Sequence, residues 1–335
     1  MTSLRIENFR CIQSLSLDIR PVTLLMGRNA TGKSSVAYAA YYYAKSPGRD
    51  PRQLLRQLYG TGLEAVARHD GGPVFPVVIE VEGDRFEARS PDEATPPRSA
   101  PWTDAYLLPS QRIGLFKVIQ ILPDLMEQTL KKTDTAAVFA FVFLFEIVKA
   151  LPLVPPPLAL FAEDLLRLYT GAGFARKIEH MNMGAAIEHV APLLSLVKFT
   201  YEDPYTKIQL PLTSAPDGAA DVVLIDTFIE KAPRGSLVVV EEPEIHKNPV
   251  AVVELVKDAA AKITERGLTL LATTHSDLTA KALAKAVEEG KIRADDVAIY
   301  YLERDPWTKA KQIKIYQDGS IEELPDAEKV VTLLF

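Results

Sequence analysis

Residues 22–44 read VTLLMGRNATGKSSVAYAAYYYA, and the order of their three parts decides the fold. Residues 22–26 form an apolar run suited to a buried strand. Gly27, Arg28, Asn29, Ala30, Thr31, Gly32, Lys33 and Ser34 then meet the phosphate-loop pattern G-x-x-x-x-G-K-[ST] at every fixed position. Residues 35–44 have helical composition. The two glycines let the backbone curl so that successive N–H groups point at phosphate oxygens. Lys33 brings a mobile charge for the β- and γ-phosphates, and the Ser34 hydroxyl suits Mg²⁺, a hard cation that prefers oxygen. A helix over residues 35–44 would set its N-terminus against the phosphates.

Upstream, residues 4–9 and 14–19 alternate apolar and polar side chains, as half-buried strands do. Two antiparallel strands leading into a phosphate loop do not open a Rossmann unit, which lacks the Gly-Lys-Ser. Downstream, residues 50–67 have leucines at helical spacing. Residues 76–82 and 85–88 flank a Gly83-Asp84 turn and read as a hairpin. Residues 91–102 are a Pro-rich polar loop, and 104–109 a buried strand followed by Ser110-Gln111-Arg112. From 113 to 190 the chain reads as helical. Residues 136–145, AAVFAFVFLF, are too short to cross a bilayer and suit either a core helix or a partner- or membrane-facing one.

A second hairpin, 196–201 with 206–212, surrounds Asp203-Pro204, and a helix is expected over 219–230. Residues 237–242, LVVVEE, form a strand run ending in two acids. Asn248 and Pro249 open a helix that Gly267 closes. Another strand, 268–273, leads to Thr274-His275-Ser276, and a helix over 278–289 follows it. The tail closes with strands over 297–302, 312–316 and 321–324. Strands alternating with helices point to a parallel sheet. The expected organisation is an ATPase-type core over 1–112 and 196–335, with a helical lobe, 113–195, inserted. No internal repeat or sustained heptad pattern is seen.

With 335 residues, 47% of them apolar, the chain has ample material for a core. Its single cysteine, Cys11, excludes an intramolecular disulfide. The opening MTSLRIENFRCIQS lacks a signal-peptide core, so a cytoplasmic setting is expected. The net charge of −6 argues against a generally basic nucleic-acid binder. Residues 1–70 nevertheless hold ten Lys/Arg against five Asp/Glu, and residues 201–335 sixteen against twenty-four. That asymmetry suits an ordinary solvated surface or a basic patch touching DNA or RNA.

A phosphate loop needs an acid at the end of a neighbouring strand to hold Mg²⁺, and LVVVEE supplies Glu241 and Glu242. Adjacent carboxylates also occur at solvated sheet edges; here, downstream of a phosphate loop, Glu241 suits the metal and Glu242 the attacking water. Four stretches together resemble the ABC-type ATPase heads of the SMC, RecF and OLD (overcoming lysogenization defect) group, above all the short AAA-labelled members. They are LRIENFRCIQSLSLDIRPVTLLMGRNATGKSS, YLLPSQR at 106–112, VVVEEPEIHKNP at 238–249 and LLATTHSD at 270–277. The lobe at 113–195 resembles no known element.

The resemblance implies an α/β P-loop NTPase of ABC-ATPase type, with a mixed sheet and N-terminal antiparallel strands. It implies an ATP- and Mg²⁺-dependent ATPase with Lys33 on phosphate and Ser34 on the metal. Glu241 takes the metal-side acid position, Glu242 that of the catalytic glutamate, and His275 that of the γ-phosphate-sensing histidine. Gln111 takes that of the metal- and water-sensing glutamine. Such heads close head to tail around ATP, each offering a Ser-Gly-rich turn to its partner. The counterpart here is Ser214-Ala215-Pro216-Asp217-Gly218, where Gly218 keeps its place. Proline has no N–H to give, and Asp217 would repel phosphate. The implied partners are ATP, a second copy, DNA and a co-encoded effector, with no transmembrane segment; the implied settings are DNA maintenance or defence. No nuclease or Toprim domain is expected after residue 335. The alternatives are a nucleotide-gated binding module with little turnover and, less suited to the opening strands, a transporter ATPase subunit.

Overall fold

The computed structural model describes residues 1–130, 155–169, 177–180, 184–191 and 196–325. Two compact units emerge: Met1–Ser110 with Ala232–Phe335, and Gln111–Lys231. In chain order the strands are β1 (Thr2–Phe9), β2 (Ile12–Ile19), β3 (Val22–Met26), β4 (Arg68–His69), β5 (Pro73–Val74), β6 (Val77–Val81), β7 (Asp84–Ala88), β8 (Ala94–Thr95) and β9 (Ala105–Leu108). The second unit carries β10 (Lys177–His180), β11 (Gly184–Ala191), β12 (Leu196–Glu202) and β13 (Gln209–Pro211). The chain returns with β14 (Leu237–Glu241), β15 (Thr269–Thr274), β16 (Val297–Arg304) and β17 (Thr308–Ile313).

In the first unit the main sheet runs β17-β16-β3-β15-β14-β9. All its neighbours are parallel except β16 and β17, which form a hairpin. Every residue of β3, β14 and β9 is buried, as the continuous apolar runs require of strands covered on both faces. A second sheet, β2-β1-β6-β7-β8, is antiparallel throughout. Its alternation is visible in β2, where Leu15, Leu17 and Ile19 are buried, Ser16 between them is exposed and Asp18 half-buried. The N-terminal strands thus belong to their own sheet, and the mixed character of the main one comes from β17.

The helix Lys33–Lys45 follows the phosphate loop and buries Tyr41, Tyr42 and Tyr43. The helix Pro249–Arg266 starts and stops where its sequence says. Asn248 accepts a hydrogen bond from the Ala251 N–H, and Gly267 leaves the helix at φ 63°. Ser276 caps the helix Asp277–Glu288 by accepting from the Leu278 N–H.

The second unit differs from the expected lobe. Helices occupy Arg112–Leu130 and Pro156–Tyr169, but strands β10 and β11 follow within the stretch expected to be helical. The hairpin expected to open the returning core, β12 with β13, continues that same antiparallel sheet through β11. Residues 136–145 lie outside the described residues. The core of this unit pairs Phe116 with Phe199 and Phe161 with Phe228. It also holds a fully buried Arg112, whose Nε and Nη2 donate to Asp221 Oδ1 and Oδ2 at 2.6 and 2.8 Å. The last strand also shifts: β17 begins at Thr308 rather than 312, because the Asp305-Pro306-Trp307 turn folds it straight back on β16.

Candidate functional site

Because β9, β14, β15, β3 and β16 run parallel, their C-terminal ends share one edge of the sheet, where loops collect in open α/β sheets. The phosphate loop leaves β3 there, Glu241 ends β14, Thr274-His275 ends β15 and Ser110 follows β9. Glu241 and Glu242 come from the next strand but one, not from the neighbour of β3 that the sequence suggested. β15 lies between them and carries the histidine.

The loop's two glycines are dictated by space as well as by torsion. Gly27 has φ 137°, and a Cβ there would collide with the Leu302 carbonyl of β16. Gly32 has φ 103°, and a Cβ there would meet Thr308 Oγ1 at 2.6 Å and Cys11 Sγ at 3.0 Å. The loop is held from the side by the β16–β17 hairpin: the Thr308 hydroxyl donates to the Thr31 carbonyl at 2.9 Å, and Arg304 Nη1 to the Ala30 carbonyl at 3.4 Å. Arg28, Asn29 and Ala30 are exposed at the crest, and Thr31 turns inward to donate to the Arg28 carbonyl.

Lys33 Nζ donates to the carbonyls of Gly27 and Arg28 at 2.7 and 2.8 Å and lies 3.3 Å from His275 Nδ1. Burial lowers its pKa to about 8, against the upward pull of Glu242, Glu244 and Glu241. Ser34 is exposed one residue on, while Ser35 is buried with its Oγ 3.8 Å from Cys11 Sγ.

The two adjacent acids have different surroundings. Glu241 is buried, and its Oε2 accepts from the Tyr38 hydroxyl at 2.8 Å and the Ser110 N–H at 3.3 Å. Burial and that carboxylate push the Tyr38 phenol far above its ordinary range, so it remains a donor. Glu242 adopts φ 48°, which breaks the pleat immediately after β14. Its carboxylate lines the cleft beside the loop, with Oε1 3.6 Å from His275 Nε2. Lys33, His275 and Glu242 therefore stand in one row. Glu244, which sequence reasoning quoted without assigning, fixes that row. Its Oε1 accepts from the Thr274 hydroxyl at 2.6 Å and the His275 N–H at 3.1 Å, while its buried Oε2 has no hydrogen-bond partner among the described residues.

The cleft measures about 630 Å³, within the range of small-molecule sites. Arg10, Lys33 and Arg304 face it against one carboxylate, Glu242, a balance suited to a polyanion. Trp307, Arg304, Arg10 and Cys11 went unassigned in the sequence, because turns far apart along the chain bring them together. Among the described residues no group of three His, Cys, Asp or Glu could hold a metal. A Mg²⁺ of phosphate-loop type needs none, since hydroxyl, carboxylate, phosphate and water oxygens suffice. Ser34 and Glu241 offer the hard-oxygen donors such an ion takes.

Gln111 and Gly218 belong to the second unit. Gln111 is exposed in the turn before the helix Arg112–Leu130. Gly218 is buried in the first turn of the helix Asp217–Lys231. The expected repulsion from Asp217 is offset within that unit, because Lys117 Nζ lies 2.6 Å from Asp217 Oδ1 and donates to the Ala215 carbonyl at 2.7 Å.

Residues 1–52 match the family model described as AAA ATPase domain. No curated protein matches the chain in sequence. The Smc head domain with an extended coiled coil bound to the C-terminal domain of ScpA, from Pyrococcus furiosus, is similar over 100% of this chain and 99% of that one. Its sequence identity is 12% and its TM-score 0.54. A SmcHead bound to the C-winged helix domain of ScpA is similar over 93% of this chain and 98% of that one, again with 12% identity and a TM-score of 0.54. The fold is that of an SMC head, as the resemblance in the sequence implied. Among the described residues no helix is long and apolar enough to cross a membrane.

Proposed function

We propose, from an SMC-head fold whose first 52 residues match the AAA ATPase domain model, that the chain is a Mg²⁺-dependent ATPase. The observation that carries this reading is the row Lys33–His275–Glu242 beside the phosphate loop, at the shared C-terminal edge of the parallel strands. The backbone N–H groups of residues 28–34 cradle the β- and γ-phosphates. Lys33 Nζ leaves the Gly27 and Arg28 carbonyls for the phosphate oxygens. Ser34 and Glu241 would hold the Mg²⁺, which would supply neutralisation of phosphate charge. Glu242 orients and deprotonates the attacking water, and His275 faces the γ-phosphate while Glu244 fixes its backbone.

Calorimetry with Mg·ATP and a steady-state phosphate-release assay test this reading. Lys33→Ala should abolish the heat of binding. Glu242→Gln should keep binding while turnover falls by about 10²–10⁴-fold. Unchanged turnover in Glu242→Gln would remove that residue from the mechanism.

We further infer that ATP closes two copies head to tail, with Gln111 sensing the metal and Gly218 serving the partner's nucleotide, and that this switch works on DNA or a co-encoded effector. The similar SMC heads bound to ScpA domains support a protein partner. Light scattering of the Glu242→Gln variant should show a dimer with ATP and a monomer without it. A second reading, a nucleotide-gated binding module with little turnover, draws on Pro216, which offers no N–H at the partner-facing turn. Phosphate release that stays negligible with and without DNA would favour it.

A further inference from the structure

The cleft extends past the phosphate loop to a wall that ATP hydrolysis does not by itself require. Trp307 lines this wall; among the described residues facing the cleft it is the sole Trp, Tyr or Phe. The ring is held in place from two sides. The next residue, Thr308, donates its hydroxyl to the Thr31 carbonyl and its N–H to the Cys11 carbonyl, each at 2.9 Å. This keeps the indole one residue from the glycine arch. Behind the indole, the Arg68 guanidinium lies 4.6 Å from the ring centroid. Arg68 is itself buried and fixed, with Nε donating to Asn8 Oδ1 at 3.1 Å and Nη1 to Asp70 Oδ2 at 3.0 Å. β4 and the β16–β17 turn thus supply the two stacked groups, and Asn8 of β1 anchors the guanidinium by a hydrogen bond.

A guanidinium held by its own hydrogen bonds and set over an indole ring fixes that ring as a rigid, pre-oriented π surface. Such a surface beside a cationic phosphate site has the shape of a nucleoside triphosphate: charge at one end, a flat ring at the other. We propose that Trp307, backed by Arg68, is the stacking platform for the nucleobase of the bound triphosphate. This rests on the triphosphate reading above and adds the recognition of the base. Stacking is tolerant of base identity because every base has a π face, so the platform selects nucleotides over inorganic polyphosphates more sharply than it selects among nucleotides.

The test compares Mg·ATP with Mg·tripolyphosphate, which has the charge and lacks the base, by calorimetry on the full chain. Trp307→Ala should weaken ATP about 5- to 150-fold while tripolyphosphate binds as before, and Trp307→Phe should recover most of the loss. The chain has two tryptophans, Trp102 and Trp307. In Trp102→Phe the remaining indole should change its emission with ATP and not with tripolyphosphate. Equal losses for both ligands in Trp307→Ala, or ATP binding unaltered in it, would overturn the platform and leave the phosphate site standing. An unsubstituted chain that binds neither ligand would overturn the triphosphate reading and the platform together.

Discussion

Gly27 shows how tightly single positions are set. Its φ of 137° lies outside the range that a side chain adopts comfortably, and the Leu302 carbonyl occupies the space a Cβ needs. Backbone strain alone costs about 1–3 kcal/mol, and the obstacle is backbone of β16, which cannot rotate away. Gly32 is blocked chiefly by the side chains of Thr308 and Cys11, which have more room to yield. Gly27→Ala should therefore lower the urea midpoint more than Gly32→Ala does, and both should lose nucleotide. Equal midpoints for the two variants would show that the β16 carbonyl does not confine the loop. The G-x-x-x-x-G-K-S pattern was legible because both glycines are local necessities. The carbonyl that makes one of them necessary lies 275 positions downstream and left no local signal.

Among elements, the helices Arg112–Leu130 and Asp217–Lys231 meet through the Arg112–Asp221 pair, each side chain 1% exposed. Removing one partner strands a charge in the core, whereas replacing both with apolar groups of similar size can be neutral. Arg112→Met should destabilise the fold by about 3–5 kcal/mol in urea titrations, and Arg112→Met with Asp221→Leu should regain most of it. A double variant no better than the single one would mean that the ion pair is not what joins these helices. The sequence showed Arg112 only as the end of a polar turn after β9. Its role is set by Asp221, more than a hundred residues later. The strands β10 and β11 were missed for a related reason. They find their partners in β12 and β13, so their extended form is decided by pairing, which overrides short-range composition.

At the scale of the whole molecule, the first unit is assembled from both ends of the chain. β3 carries the phosphate loop and is hydrogen-bonded to β15 on one side and β16 on the other, both from the C-terminal third. A fragment of residues 1–110 would leave both edges of β3 without partners and its apolar faces uncovered. It should show no cooperative thermal transition by circular dichroism and should not bind Mg·ATP. A cooperative melt of that fragment would mean that the antiparallel sheet β2-β1-β6-β7-β8 folds alone and templates the loop.

By itself the sequence determined the phosphate loop, the strand ending in Glu241 and Glu242, the strand ending at His275, and the caps at Asn248 and Gly267. Each depends on residues within a turn or two of one another, so spacing and chemistry identify them. Only the tertiary structure decided that β15 separates β14 from β3, that Glu244 holds His275, that β10 to β13 form a sheet, and that Trp307 stands beside the phosphate loop. Those facts depend on which distant strands pair and on which turns then meet, and pairing is settled by the burial and hydrogen bonding of the folded chain rather than by any short stretch of it.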